Sequence, residues 1–215
     1  MPKVYLLRHG ESEANVRGIL AGPDNSVNLT EKGIKDSRVV SKHLQKVEFT
    51  QIYTSPITRC LQTIEPLINS RPNIPLLKEP RVAEMDYGNW NGKELKLLSK
   101  KREWQSIQKQ PSKFKFPEGE SFNQLRKRIQ SFLLEIEKVE GPLLIVSHGD
   151  VIKMILTCTL DLSTDSFQKF TIQPASVSII NYEIKSKNVI SSNQRFGKVS
   201  LMNKFSSALL GGENA

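Results

Sequence analysis

Apolar positions along the chain fall into short unbroken runs that alternate with stretches of helical period. Val4-Tyr5-Leu6-Leu7 and Leu143-Leu144-Ile145-Val146 are runs of the buried-strand kind, halted at Arg8-His9-Gly10 and Ser147-His148-Gly149. Gln51 to Thr54 reads as another strand, and Leu76-Leu77 as a short extended piece punctuated by Pro72, Pro75 and Pro80. Val177 to Tyr182 and Val189-Ile190 read as a further strand pair. A polar loop containing Gly, Pro and Asn runs from the first corner to Asn28. Thr30 then caps a helix carrying Ile34, Val40, Leu44 and Val47, with Glu31 in its favourable first turn. Pro56 suits the first turn of a helix running to about residue 69. Ser121 with Gln124 forms a capping box that opens a helix with Leu125, Ile129, Phe132, Leu133 and Ile136 on one side, ended by Gly141-Pro142. A last helix passes through Ile152 and Ile155. Strands alternating with helices predict an α/β layered fold around one central sheet, in a single domain over residues 1–215 with a mobile tail at about 205–215.

Composition narrows the class. At 215 residues, 38% of them hydrophobic, the chain should remove roughly 70% of its unfolded surface from water and needs no covalent or metal staple. Cys60 and Cys158 each sit in an apolar helix-like stretch and read as buried free thiols of a reducing compartment. With three histidines and no paired cysteines, no metal site is expected. The N-terminus enters an apolar strand within about four residues, so no signal peptide is expected. No run approaches the ~18 apolar residues of a membrane span, so the chain reads as cytoplasmic, with no membrane partner.

Charge changes the picture more. Thirty-one Lys and Arg against 22 Asp and Glu give +9, which suits a nucleic acid, an acidic surface or a small anionic substrate. Residues 93–128 hold 11 basic and 4 acidic side chains, +7 of that excess. This segment, from Lys93 through Lys100-Lys101-Arg102 to Lys113 and Lys115, is broken by Pro111 and Pro117 and lacks clean periodicity. It reads as a basic insertion at about 93–120, a lid and not core, expected to overhang an anion site; the plain competitor is a solvated lysine-rich surface. Nucleic acid is not expected, because the segment interleaves only Trp104, Phe114 and Phe116 with its charges.

Two of the three histidines, His9 and His148, each follow an apolar strand and precede a glycine, whereas His43 reads as a surface residue on a helix face. Ligand sites in open α/β sheets form at the carboxyl ends of strands, where both corners lie. Neighbouring strands would turn both imidazoles towards one pocket.

Five ordered segments carry a resemblance. Leu7-Arg8-His9-Gly10-Glu11-Ser12, Ser55-Pro56-Ile57-Thr58-Arg59-Cys60-Leu61-Gln62-Thr63, Glu84-Met85-Asp86-Tyr87-Gly88-Asn89-Trp90-Asn91-Gly92, Gly119-Glu120-Ser121 and Ser147-His148-Gly149 together resemble the histidine phosphatase superfamily, from about residue 3 to about residue 184. The resemblance implies a phosphoglycerate mutase-like fold, three α/β/α layers around a mostly parallel sheet. It also implies a phosphomonoester hydrolase with a phosphohistidine intermediate, a small anionic phosphorylated substrate and no cofactor. Its roles suit the residue types. Neutral imidazole, at His9, is a nucleophile near pH 7. Arg8 and Arg59 can fork onto phosphate oxygens, with His148, when protonated, as a third donor. Glu84 would protonate the leaving oxygen and later deprotonate water. Asn15 matches a phosphate-contacting asparagine, and Gly22 lies in a second loop over the pocket. Asp86 is a second carboxylate near Glu84, and Tyr87 and Trp90 suit packing as well as substrate contact. Ser12 and Ser147 lack a G-x-S-x-G elbow.

Within the superfamily, the run from Trp90 to Ser121 is similar to the broad-specificity and α-ribazole-type phosphatases and lacks the Arg pair and proline-rich run of the mutases; Ala21 to Thr30 departs from the usual D-x-P-L-T. Phosphoglycerate mutase-type transfer is the same-class alternative. A polyanion-binding module on a phosphatase scaffold is the different-class alternative. Oligomeric state is not legible.

Overall fold

The computed structural model describes residues 3–183 and 186–196, and the tail expected at about 205–215 lies outside them. The chain runs β1 (Lys3–Arg8), α1 (Glu13–Arg17), α2 (Glu31–Leu44), β2 (Gln51–Thr54), α3 (Thr58–Ser70), β3 (Leu76–Lys78), α4 (Leu95–Leu98), α5 (Arg102–Lys109), α6 (Phe122–Ile136), β4 (Leu143–Ser147), α7 (Gly149–Thr159), β5 (Val177–Glu183) and β6 (Ser186–Gln194). The sheet order is β3-β2-β4-β1-β5-β6. Strands β3, β2, β4 and β1 are parallel; β5 runs antiparallel to β1, and β6 antiparallel to β5.

Side chains of a strand point alternately to its two faces, and the central strands use both. Leu143 and Ile145 face one core with Val4, Leu6, Leu125, Ile129, Phe132, Ile152 and Ile155, so α6 and α7 cover that side. Leu144 and Val146 face the other with Leu7, Ile52, Val40, Leu44, Ile64 and Leu67, under α2 and α3. Every residue of β4 is buried, as a parallel strand covered on both faces must be. The expected three layers follow. No helix among the described residues is long and apolar enough to cross a membrane.

Local chemistry sets the helix starts. Thr30 Oγ1 accepts from the Gly33 amide at 3.0 Å. Ser121 and Gln124 form both bonds of the capping box, at 3.1 and 2.8 Å. Pro56 lies in the turn before α3, which starts at Thr58 behind Ile57. Helix α2 ends at Leu44, and Val47 packs beyond it. The polar loop after β1 contains α1, a five-residue helix too short to show a period.

The basic segment departs from its expected form as a lid. Its lysines are exposed, but Leu98, Trp104, Ile107, Pro111 and Phe116 are buried. Phe116 is fully buried with ring centroids 5.1 Å from Tyr87, 5.0 Å from Phe114 and 5.8 Å from Phe122. Gly88, at φ +53°, allows this close approach, since a Cβ there would come within 2.1 Å of the Pro117 carbonyl oxygen. The segment is therefore a wall of the larger core with a solvated basic outer face. Phe116→Ala is expected to cost about 3–5 kcal/mol in urea unfolding, while Lys100→Ala changes stability by less than about 0.5 kcal/mol. Equally small effects would restore the lid.

Candidate active site

The register of β1 and β4 pairs Leu7 with Val146 and Arg8 with Ser147, which brings the two His-Gly corners level. The His9 amide donates to the Ser147 carbonyl at 2.9 Å. The imidazole centroids are 5.2 Å apart. Beyond the strand ends opens a solvent-connected cleft lined by Arg8, His9, Ser12, Asn15, Gly22, Arg59, Glu84, Tyr87, Gly149, Asp150 and Lys153 among others. Six of the seven residues expected from the sequence share its surface. His148 lies behind it, fully buried.

His9 Nδ1 lies 2.7 Å from the Gly10 carbonyl oxygen, which can only accept, so Nδ1 carries the proton and Nε2 keeps its lone pair. Burial, then the Arg59 and Arg8 guanidiniums, hold the His9 pKa well below the usual histidine value, so the ring is neutral at pH 7. Arg8 Nη1 donates to the Ile172 carbonyl, and its buried Nε has no hydrogen-bond partner among the described residues. Gly149 leaves room for this guanidinium, because a Cβ there would approach Arg8 Cζ to 3.2 Å. Arg59, in the first turn of α3, donates to the carbonyls of Gly22 at 2.8 Å and Asp24 at 3.1 Å and so ties down the loop over the cleft. Gly22, at φ +58°, has no space for a side chain, since a Cβ would meet Asn91 Oδ1 at 2.0 Å. Asn15 Oδ1 accepts from the Ser12 amide and hydroxyl at 3.0 and 2.9 Å, capping α1 at the cleft wall.

Glu84 accepts from the Met85 amide at 3.0 Å. Burial, then the nearby Asp150 carboxylate, push its pKa up to about 7. Its Oε2 lies 3.7 Å from His148 Nδ1, but burial and then Arg59, His9 and Arg8 hold His148 well below its ordinary value. Both shifts favour the neutral form of each partner. A bound phosphate dianion would favour the imidazolium. His148 Nε2 sits 2.8 Å from Ser55 Oγ and 3.5 Å from Cys60 Sγ. Both cysteines are buried free thiols, with Cys60 pushed up to about 12 by burial and thus inert.

Sequence reasoning missed Ser55, Asp150 and Lys153. The Tyr87 hydroxyl donates to Asp150 Oδ2 at 2.8 Å, and Lys153 Nζ lies 3.6 Å from Asp150 Oδ1. The available signal was an Asp and a Lys three residues apart inside the apolar helix after His148-Gly149. The basic segment reaches the cleft only through Leu95, so none of its lysines lines it as expected. Among the described residues no group of three or more His, Cys, Asp or Glu is arranged to hold a metal ion.

This arrangement can bind an anion between two guanidiniums, at the N-terminus of α7, against a neutral imidazole. The chain is 30% identical over 197 residues to phosphoserine phosphatase 1 of Hydrogenobacter thermophilus, covering 88% of this chain and 90% of that one. It is also 30% identical to a probable phosphoglycerate mutase of Proteus mirabilis, covering 85% and 86%. Among solved structures, Bacillus stearothermophilus YhfR aligns with TM-score 0.81 and 29% identity over 90% of this chain and 98% of that one. A putative alpha-ribazole-5'-P phosphatase from Escherichia coli shares the fold with TM-score 0.81, at 22% identity over 92% and 98%. Residues 4–195 match the family described as the histidine phosphatase superfamily (branch 1), and the chain belongs to that superfamily.

Proposed function

We propose that this chain hydrolyses small phosphomonoesters by two successive in-line displacements at phosphorus. The observation that carries the reading is His9, neutral and with its Nδ1 proton given to the Gly10 carbonyl, on the same cleft surface as Arg8, Arg59 and Glu84. In the first step the Nε2 lone pair forms a bond to phosphorus as the ester P–O bond breaks. Glu84, partly protonated with a pKa of about 7, gives its proton to the departing oxygen. The guanidiniums of Arg8 and Arg59 balance the charge of the transferring group. In the second step the Glu84 carboxylate takes a proton from water, which attacks the phosphohistidine and releases inorganic phosphate and neutral His9. His148, behind Glu84, serves as a third donor once the bound dianion favours its protonation. Asn15 and Gly22 shape the loop wall.

Relatives named as phosphatases, including a phosphoserine phosphatase, support hydrolysis. The relative named a probable phosphoglycerate mutase shares the likeness, and transfer back to a sugar acid would use the same phosphohistidine. Incubation with 3-phosphoglycerate, read by phosphorus NMR, separates inorganic phosphate from an isomerised ester.

His9→Ala is expected to lower kcat/KM on p-nitrophenyl phosphate by about 10³-fold or more. Brief incubation of the native chain with labelled ester should leave an acid-labile, alkali-stable label on His9; full activity in the variant, or label on serine, would refute the mechanism. The acid role of Glu84 has a pH signature. Above pH about 7 Glu84 loses its proton, so kcat on an alkyl phosphate should fall as pH rises, by up to about tenfold per pH unit. Glu84→Gln should remove that fall and cost about 10²-fold or more in kcat/KM on alkyl phosphates, yet much less in kcat/KM on p-nitrophenyl phosphate, whose leaving group needs no proton, while hydrolysis of the phosphohistidine slows for both.

A further inference from the structure

The Gly119-Glu120-Ser121 segment has no part in the proposed chemistry, yet it packs against the loop that carries Glu84. Ser121 caps α6, and along that helix Arg128 reaches back to Glu120 in a forked pair, Nε to Oε1 at 2.7 Å and Nη2 to Oε2 at 3.0 Å. The remaining guanidinium nitrogen, Nη1, donates to the Arg81 carbonyl. On the other side the Glu120 amide donates to the Asp86 carbonyl at 2.8 Å. Gly119 permits that approach, since a Cβ there would come within 2.7 Å of the same oxygen. One ion pair therefore holds the backbone both before and after Glu84. Between these two points Ser147 Oγ donates to the Val82 carbonyl at 2.7 Å, and Val82 and Met85 are fully buried. Residues 83–87 belong to no helix or strand, so these ties, and not a hydrogen-bond ladder, fix where the Glu84 carboxyl stands. Both partners of the pair are mostly buried, which limits screening by salt. The Arg81 side chain, bonded to Glu79 and Glu135, anchors the start of the loop to α6 independently of Arg128. Precision matters here, because a displacement of about 1 Å from productive geometry can cost about 10²-fold in rate.

Resting on the phosphatase reading above, we propose that Glu120 and Arg128 are positioning residues for the proton donor: their ion pair grips the backbone on either side of Glu84 and so fixes where its carboxyl meets the departing oxygen. Neither residue lines the cleft, and neither touches the substrate.

Phenyl and p-nitrophenyl phosphate test this, because they are similar in shape but only the more basic phenolate needs a proton as it leaves. The readout is the ratio of their kcat/KM values, p-nitrophenyl over phenyl. Glu84→Gln should raise that ratio by about 10-fold or more. Arg128→Met should raise it by about 5-fold or more, chiefly by slowing the phenyl ester, with a thermal midpoint still above the assay temperature. Glu120→Gln, which leaves Arg128 a carboxamide oxygen, is the milder change; it should raise the ratio by about 2-fold or more and carries the test should Arg128→Met fail to fold. In a Glu84→Gln background neither substitution should move the ratio further by more than about 1.5-fold, since the group they aim is gone. An unchanged ratio in the single variants, an equal loss on both esters, or a shift that persists in the Glu84→Gln background would overturn the assignment and leave the phosphatase reading intact. A ratio that Glu84→Gln itself leaves unmoved would remove the proton donor, and this assignment with it. Failure of the native chain to hydrolyse either ester would overturn the phosphatase reading as well.

Discussion

The parallel register between β1 and β4 is the constraint from which the site follows. Pairing Arg8 with Ser147 sets two His-Gly corners side by side at the carboxyl edge of the sheet. A slip of one residue would turn Leu6, Leu7, Ile145 and Val146 to the opposite cores and separate the imidazoles. The register is held by apolar alternation on both faces, Leu143 and Ile145 against α6 and α7, Leu144 and Val146 against α2 and α3. Packing that stabilises the fold thus also fixes the catalytic spacing, and the loops then add Arg59, Glu84 and the Gly22 wall.

Burial is the second determinant, and it acts in opposite senses on acid and base. Removing water favours the neutral form of each group. For His9 this leaves a lone pair at pH 7, reinforced by two neighbouring guanidiniums. For Glu84 it retains a proton near neutrality, reinforced by Asp150. One cleft therefore holds a neutral imidazole together with a carboxyl that keeps its proton near neutrality, the pairing that the proposed mechanism uses.

Much of this was legible in the sequence because it is local. A strand run ending in His-Gly, a Thr or Ser at a helix start and Arg59 inside its nine-residue segment are each readable within one window. The basic segment misled because α4 and α5 have four and eight residues, too few for Leu98, Trp104 and Ile107 to display a period. Asp150 and Lys153 gave no clear sign, since a charge pair three residues apart on a helix ordinarily marks a solvated face. Only the covering of α7 on every side makes them buried, and that depends on residues distant in sequence. Ser55 is similar: its contact with His148 joins the ends of β2 and β4.

The stereochemical course at phosphorus tests the double displacement most directly. Hydrolysis of an isotopically chiral phosphorothioate ester in oxygen-labelled water, read by phosphorus NMR, should give retention of configuration, because attack by His9 and then by water each inverts the centre. Net inversion would mean that water displaces the leaving group in a single step, and His9 would not be the nucleophile.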